Sequence, residues 1–323
     1  MPHSATRPGI AGVIPHLNQP GHLARCLEAL AAGRRTPDEI VVVDNGSATL
    51  PREICARHAG VRLIPEPTPG PGPARNRGIA ATSAEILAFI DADCIADPGW
   101  LEAAEAALAD PGAQILGGDV RIAMADPDRP TLLEAYESIY AYRMDRYIAR
   151  EGFTGTGNLV MRRAVMEDVG PFAGLAIAED RDWGRRATAR GYRIRYVAAM
   201  RVYHPARPDF AGLKAKWARQ TGHDHTEAQV RRLWRLRWWA KTLAMGLSPL
   251  AEIPRILLSD RVRGPRARLL AFLGLARTRP YRARLMAWLI AGGDPGRLTG
   301  AWNRSGLAPA SEAASSRQND PNA

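Results

Sequence analysis

Two aspartates separated by a single alanine follow a short apolar segment in the first third of the chain. The segment is Ile86–Ile90, and Asp91 and Asp93 come directly after it. Carboxylates this close repel each other unless a cation lies between them, and Mg²⁺ commonly takes one or two carboxylates together with substrate phosphates. The pair therefore predicts a site for a divalent cation, Mn²⁺ or Mg²⁺. The alternative is a solvated turn at the end of a strand, where aspartate is common.

Polar residues also follow two earlier apolar segments. Asn18 comes shortly after residues 10–14, and Asp44 directly follows residues 39–43. The carboxyl ends of parallel strands meet at one edge of a sheet, which is where ligands bind in open α/β proteins. Asp44 is spaced like the acidic residue that binds ribose hydroxyls in nucleotide-binding folds, with a turn cap as the alternative. The first turn lacks G-x-G-x-x-G, which argues against a dinucleotide dehydrogenase.

A glycine-rich stretch and a histidine mark the second half of this region. Gly157 and Asn158 lie in residues 153–161, where glycines before a short strand let the backbone approach a ligand closely, although a plain tight turn fits equally well. His204 follows later, and a lone histidine is more often structural than a metal ligand.

Three carboxylates in four residues begin a predicted helix after Ala178. They are Glu179, Asp180 and Asp182. The helix dipole stabilises negative charge at this position, so the residues alone favour an ordinary acidic first turn.

Alternating strands and helices are predicted to position these residues over the first 120 positions. Strands are predicted at residues 10–14, 39–43, 61–64, 86–90 and 113–120, and helices at 20–32, 51–58, 74–82 and 99–109. The alternation favours a mostly parallel sheet flanked by helices, which is an α/β fold. Two more helices are predicted at residues 131–150 and 162–169.

The C-terminal region has a different composition. Between Arg231 and Arg284 there are 14 Lys and Arg against two acidic residues, and six of the eight tryptophans lie between Trp217 and Trp302. Leu233, Leu236, Ala240, Leu243 and Leu247 have heptad-like spacing in a largely helical stretch, residues 212–247, and further amphipathic helices are predicted at 266–275 and 281–291. Such a block implies a polyanionic partner, and we favour an anionic membrane surface over nucleic acid, with a solvated basic face as the alternative.

Three scattered cysteines, Cys26, Cys55 and Cys94, form no zinc pattern and suggest a reducing compartment. The N-terminus lacks the pattern of a signal peptide, and no run of 18 apolar residues occurs. The prediction is a cytoplasmic protein held peripherally on the inner face of a membrane.

Four segments in fixed order give the chain a family resemblance. The segments IPHLNQPGHLARCLEAL, EIVVVDNGS, GPGPARNRGIA and ILAFIDADC resemble family 2 glycosyltransferases of the GT-A fold. The resemblance implies a GT-A catalytic domain at residues 10–205, after a tail at 1–9. A basic, Trp-rich helical region at 206–303 and a disordered tail at 304–323 would follow. The usual family opening has a small residue and Tyr before the asparagine, whereas this chain has Pro15-His16-Leu17.

The resemblance also implies roles for individual residues. Asn18, Asp44, Arg75 and Asp91 would bind the nucleotide, and Asp93 would bind the metal together with His204. Gly157, Asn158 and Glu179 would face the donor sugar and the acceptor. Asp180 would be the catalytic base, which reverses the preference for an acidic first turn.

The predicted function is inverting transfer of a sugar from a nucleotide-diphosphate sugar, with a UDP-sugar favoured, to an acceptor hydroxyl. The acceptor would be a glycan or a lipid-linked glycan in bacterial-type polysaccharide or glycolipid synthesis. The alternatives are a sugar nucleotidyltransferase and a non-catalytic nucleotide- or lipid-binding module. A nucleotidyltransferase would usually carry a glycine-rich phosphate loop after the first strand, and this chain has none.

Overall fold

A computed structural model describes residues 8–175, 177–230 and 232–299. The predicted disordered tail at 304–323, Trp302 and most of the predicted N-terminal tail lie outside these residues.

One eight-stranded sheet organises the N-terminal two thirds of the chain. Its strands, in chain order, are β1 (Ile10–His16), β2 (Glu39–Asp44), β3 (Val61–Pro65), β4 (Ile86–Ile90), β5 (Ile95–Ala96), β6 (Ile115–Ala123), β7 (Asn158–Arg162) and β8 (Ile194–Pro205). The spatial order is β3-β2-β1-β4-β7-β6-β8-β5. The five strands predicted from sequence are all present, and their ends shift by at most three residues.

The parallel half of the sheet brings the predicted strand-end residues to one edge. β1 lies between β2 and β4 and is parallel to both, with His16 opposite Asp44 and Val13 opposite Phe89. β1 and β4 are buried along their whole length, which explains their unbroken apolar sequences. The prediction that these strand ends converge is therefore confirmed.

The other half of the sheet is mixed. β7 runs antiparallel to both β4 and β6, β6 and β8 are parallel, and β5 pairs antiparallel with β8. The antiparallel β7 directs the turn that precedes it towards the carboxyl end of β4, because Ile90 is opposite Asn158. The glycine-rich stretch and the two aspartates therefore meet at the same edge.

Thirteen α-helices and one 3₁₀ turn (Leu250–Glu252) are described. The helices are α1 (Pro20–Ala31), α2 (Arg52–Ala56), α3 (Pro71–Ala80), α4 (Trp100–Leu108), α5 (Leu132–Tyr140), α6 (Met144–Glu151), α7 (Arg163–Val169), α8 (Glu179–Ala189), α9 (Phe210–Ala228), α10 (Trp234–Leu247), α11 (Ile253–Leu257), α12 (Gly264–Ile290) and α13 (Gly296–Thr299).

Three helix predictions differ from the structure. The single helix expected at 131–150 is two helices, because Tyr142 has a φ of +51° and interrupts the helical backbone between α5 and α6. The stretch 212–247 also divides in two, between α9 and α10. Conversely, the two helices expected around 266–291 form one, since α12 continues through Pro280.

The C-terminal helices pack on the sheet region through α5. Tyr136 and Ile139 of α5 share a buried apolar cluster with Leu213 and Trp217 of α9 and with Leu275 of α12. Asp209 caps the start of α9 by accepting a hydrogen bond from the backbone N–H of Gly212 at 2.7 Å. This packing holds α9 beside the carboxyl edge of the sheet.

Asn158 lies inside the sheet. Its side-chain nitrogen donates to the carbonyl oxygens of Asp119 and Met200, both at 2.9 Å, and its oxygen accepts from the indole N–H of Trp100 at 2.8 Å. The side chain is fully buried and its polar atoms are engaged by protein. Asn158 therefore has a structural role within the sheet, and its contact with donor or acceptor stays a prediction.

We expect Asn158→Ala to destabilise the fold by about 3 kcal/mol, because three buried polar groups would lose their partner. Urea unfolding of the purified chain measures this. Trp100→Phe removes the indole donor, so the double variant should lose less stability than the two single variants together. An unchanged unfolding midpoint combined with lost transfer activity would return Asn158 to the substrate site.

Candidate active site

A cavity of about 430 Å³ opens at the carboxyl edge of β1 and β4. Seven of the ten predicted site residues line it, namely Arg75, Asp91, Asp93, Gly157, Glu179, Asp180 and His204. These residues come from five separate parts of the chain and are collected by the sheet edge, by the start of α8 and by the end of β8. The cavity therefore unites most of the residues that the sequence singled out.

A buried arginine joins two walls of this cavity. The guanidinium of Arg75, on α3, donates to Asp91 at 2.6 Å and to Glu179 at 3.0 Å, and only 3% of its side chain is exposed. Asp91 ends β4 and Glu179 begins α8, so the ion pairs link these two elements across the site. Arg75 is therefore the cation that neutralises Asp91 in this structure. Asp93 does not pair with Arg75 and instead lies beside His204.

Gly157 lies against the same aspartate. A Cβ atom at position 157 would come within 2.5 Å of the Asp91 carboxylate oxygen Oδ2, a distance that van der Waals repulsion excludes. The glycine is therefore needed for close approach of the loop before β7 to the end of β4.

Asp93 faces His204. Its Oδ2 atom lies 3.4 Å from Nε2 of His204, and Nδ1 of the same ring lies 2.7 Å from the carbonyl oxygen of Pro205. A carbonyl oxygen can only accept, so Nδ1 carries a proton, and Nε2 faces the Asp93 carboxylate and the Tyr142 hydroxyl. Nε2 is therefore the ring atom that is placed to bind a metal beside Asp93.

Asp180 lies beside Glu179 in the first turn of α8. Burial, reinforced by the negative charge of Glu179, raises the pKa of the Asp180 carboxyl to about 7. A carboxylate with a pKa near neutrality can accept a proton and release it again, which suits a general base. Asp182 instead pairs with Arg186 one helical turn away, at 2.9 Å, and does not line the cavity.

Two further predicted nucleotide ligands lie outside the cavity lining. Asp44 is 2% exposed, and its carboxylate accepts hydrogen bonds from His16 Nδ1 at 2.9 Å and from the backbone N–H of Ser47 at 2.9 Å. These contacts lower the pKa of Asp44 despite its burial. Asn18 is exposed and accepts from the backbone N–H of Ala48 at 2.9 Å. In this structure Asp44 orients His16, which does line the cavity.

Sequence reasoning missed a group of cavity residues beyond position 205 and at the α5–α6 break. They are Tyr142, Arg207, Lys216, Arg219, Gln220 and His223. Four of them lie on α9 at positions 216, 219, 220 and 223, a spacing of three and four residues that defines one helix face. The sequence shows this spacing, but it does not indicate which face of α9 packs against the sheet domain.

The comparisons with known proteins agree with this geometry. The model of the family described as glycosyl transferase family 2 matches residues 13–170. Glycosyltransferase AglE of Haloferax volcanii is 33% identical over 213 residues, which cover 64% of this chain and 69% of AglE. The pre-mycofactocin glycosyltransferase of Mycobacterium tuberculosis is 26% identical over 217 residues, and the match covers 64% of this chain but only 44% of that protein.

The fold also matches a solved structure. Mannosyltransferase PcManGT from Pyrobaculum calidifontis, determined in complex with GDP-Man and Mn²⁺, superposes with a TM-score of 0.57 at 18% identity, and the match covers 89% of this chain and 86% of that one. This likeness confirms the predicted GT-A architecture. Together with the family match and the relationship to AglE, it shows that the chain belongs to family 2 of the glycosyltransferases, which use nucleotide sugars.

Proposed function

We propose that this glycosyltransferase is metal-dependent and inverting, with Asp93 and His204 as metal ligands and Asp180 as the catalytic base. The observation that carries the proposal is that the Asp93–His204 pair and the raised-pKa carboxylate of Asp180 line one cavity. The donor would be a nucleotide-diphosphate sugar, with UDP and GDP as the nucleotides to test. Its nucleoside would lie near Arg75, Asp91 and the loops that carry Asn18 and Asp44.

The donor set fits a hard divalent cation such as Mn²⁺ or Mg²⁺. Asp93 offers a carboxylate and His204 the ring nitrogen Nε2 at 3.4 Å, and diphosphate oxygens would complete the shell. Within the described parts of the chain, no cluster of three or more His, Cys, Asp or Glu side chains could hold a metal unaided. A bound cation would neutralise charge on the departing diphosphate.

The chemistry at the other end of the cavity follows from Asp180. The acceptor oxygen attacks the anomeric carbon as the bond between that carbon and the diphosphate oxygen breaks, and Asp180 takes the proton of the acceptor hydroxyl. A single displacement of this kind inverts the anomeric configuration. Arg75 holds the neighbouring Glu179, which keeps the second carboxylate of the pair engaged and leaves Asp180 to act.

A membrane-bound acceptor is supported by the surface of the C-terminal helices. Leu243, Leu247 and Leu250 are 61%, 79% and 69% exposed, and they lie on the face of α10 and the following turn that is opposite buried Trp238 and Met245. Exposed apolar side chains beside an excess of Lys and Arg suit binding at the surface of an anionic bilayer. No helix in the described ranges has the length and apolarity to span a membrane. We therefore include peripheral contact with anionic lipid, and a glycan or lipid-linked glycan as acceptor, in the proposal.

The metal proposal is tested with Asp93→Ala. We expect release of UDP or GDP from donor sugars to fall by at least about 10²-fold, because the charge that a divalent cation stabilises would be left on the leaving group. Asp110→Ala changes an exposed aspartate that pairs with Arg195, and should leave turnover unchanged. Full turnover in excess EDTA would contradict the proposal. Release of pyrophosphate from a nucleoside triphosphate and a sugar 1-phosphate, with no nucleoside diphosphate released from donor sugars, would instead indicate a nucleotidyltransferase.

The base proposal is tested with Asp180→Asn, which keeps the shape of the side chain and removes its basicity. We expect kcat to fall by roughly 10²–10⁴-fold with donor binding little changed. Asp182→Asn is the matched control, because that side chain pairs with Arg186 outside the cavity. The assignment is wrong if Glu179→Gln or Asp182→Asn abolishes turnover while Asp180→Asn stays active.

The same base predicts the pH dependence. The pKa of Asp180 is raised to about 7, so below that pH the carboxyl is increasingly protonated and cannot accept the acceptor proton. We expect kcat/KM to fall by about tenfold per pH unit below pH 7 and to level off above it. A profile that stays flat down to pH 5 would exclude Asp180 as the base.

Membrane contact is tested by co-sedimentation with vesicles. The full chain should bind vesicles rich in phosphatidylglycerol at low salt and bind them less at high salt. It should not bind neutral phosphatidylcholine vesicles. The double variant Leu243→Glu/Leu247→Glu should lose most of this binding and keep donor hydrolysis. Failure of the full chain to bind anionic vesicles at low salt would leave the basic helices as an ordinary solvated face.

A further inference from the structure

Three basic side chains line the part of the cavity formed by α9 and the segment after β8. Arg207 follows β8, and Lys216 and Arg219 lie one turn apart on α9. None of them has a role in the mechanism described above, and all are partly buried. Clusters of cations in a partly desolvated cleft attract anions and strengthen their binding.

A single buried carboxylate holds two of these cations in place. Glu137 of α5 is completely buried in its side chain, and its oxygens accept from the backbone N–H of Arg207 at 2.8 Å and from its guanidinium at 2.5 Å. The Lys216 ammonium lies 3.6 Å from the same carboxylate. With Lys216 charged, two cations face this one carboxylate, and Arg219 adds a third cation beside Arg207 and Glu179.

The cluster adjoins the Asp93–His204 pair through one side chain. The Tyr142 hydroxyl lies 3.0 Å from Nε2 of His204, and the Lys216 ammonium lies 4.6 Å from the centre of the Tyr142 ring. Lys216 is therefore one aromatic ring away from the atoms proposed to hold the metal. Burial beside Arg207 lowers the pKa of the Lys216 amine to about 7, and an anion placed next to it would favour the charged form.

We propose that Lys216, positioned with Arg207 by Glu137 and joined by Arg219, binds the terminal phosphate of the departing nucleoside diphosphate. This inference rests on the proposed function. When the bond to the sugar breaks, the terminal phosphate gains about one negative charge at neutral pH. Cations already held in position by Glu137 stabilise that charge without reorganising, which lowers the barrier to transfer.

The proximity of Lys216 to His204 through Tyr142 favours this anion over an anionic group on the acceptor. The two assignments differ in a measurable way. A cluster that binds the leaving group acts even when water is the acceptor, whereas a cluster that binds an anionic acceptor is idle in donor hydrolysis.

The test compares Lys216→Met with the unmodified chain in two assays with Mn²⁺ present. In calorimetric titrations with UDP, GDP, UMP and GMP, the variant should lose roughly tenfold or more in affinity for the preferred diphosphate and little for the corresponding monophosphate. In hydrolysis of UDP-glucose and GDP-mannose, its kcat should fall by roughly 10²-fold. Lys216→Arg, which keeps the charge, should recover much of both losses.

Lys214→Met is the matched control, because Lys214 is an exposed lysine of the same helix that packs on Phe210 and Tyr281 away from the cavity. It should behave as the unmodified chain does. Unchanged diphosphate affinity and hydrolysis in Lys216→Met would overturn the inference, and would assign the cluster to the acceptor if transfer alone declined. Lack of any UDP or GDP binding by the unmodified chain would overturn the proposed function itself, and the leaving-group assignment with it.

Discussion

The ion pairs of Arg75 are the interaction on which the active-site architecture depends. One almost fully buried guanidinium binds a carboxylate from the end of β4 and another from the start of α8. Removing one partner from a buried charge network typically costs about 3–5 kcal/mol, because the remaining charges lose compensation. In both acidic pairs, Asp91/Asp93 and Glu179/Asp180, Arg75 takes the first carboxylate. The second carboxylate of each pair, Asp93 or Asp180, is not bound by Arg75 and lines the cavity.

This division explains how the four carboxylates of these two pairs coexist in one cavity. Asp91 and Glu179 are structural anions paired with Arg75, whereas Asp93 faces His204 and the pKa of Asp180 is raised to about 7. The cations of α9 and the segment after β8 lie in the same cavity, beyond Tyr142.

Sequence alone predicted the parallel half of the sheet closely, because buried strands such as Ile86–Ile90 have unbroken apolar runs with turn residues at both ends. It also identified seven of the cavity residues, six because they lie near strand ends or at a helix start and Arg75 through the family resemblance. It did not anticipate the break at Tyr142, whose positive φ depends on tertiary contacts and not on local composition. The exposed leucines of α10 had the spacing of a packed face, and only the structure shows that the opposite face is the buried one.

Asn158 and Asp44 show why residue type and position do not fix a role. Both are polar and lie at the predicted edge, yet internal hydrogen bonds satisfy the amide of one and the carboxylate of the other. Buried polar groups in proteins are nearly always hydrogen-bonded. The partners of these two side chains come from distant parts of the chain. Asn158 is 58 residues from Trp100, so no local sequence pattern could reveal their contact.

The contact between Gly157 and Asp91 restricts how this active site could be altered by protein engineering. A side chain at position 157 would press on Oδ2 of Asp91, whose other oxygen accepts from Arg75, and Arg75 also pairs with Glu179 at the start of the helix that carries Asp180. Libraries that vary the glycine-rich loop to change the choice of sugar should therefore keep position 157 fixed, or vary positions 91, 157 and 179 together as one unit.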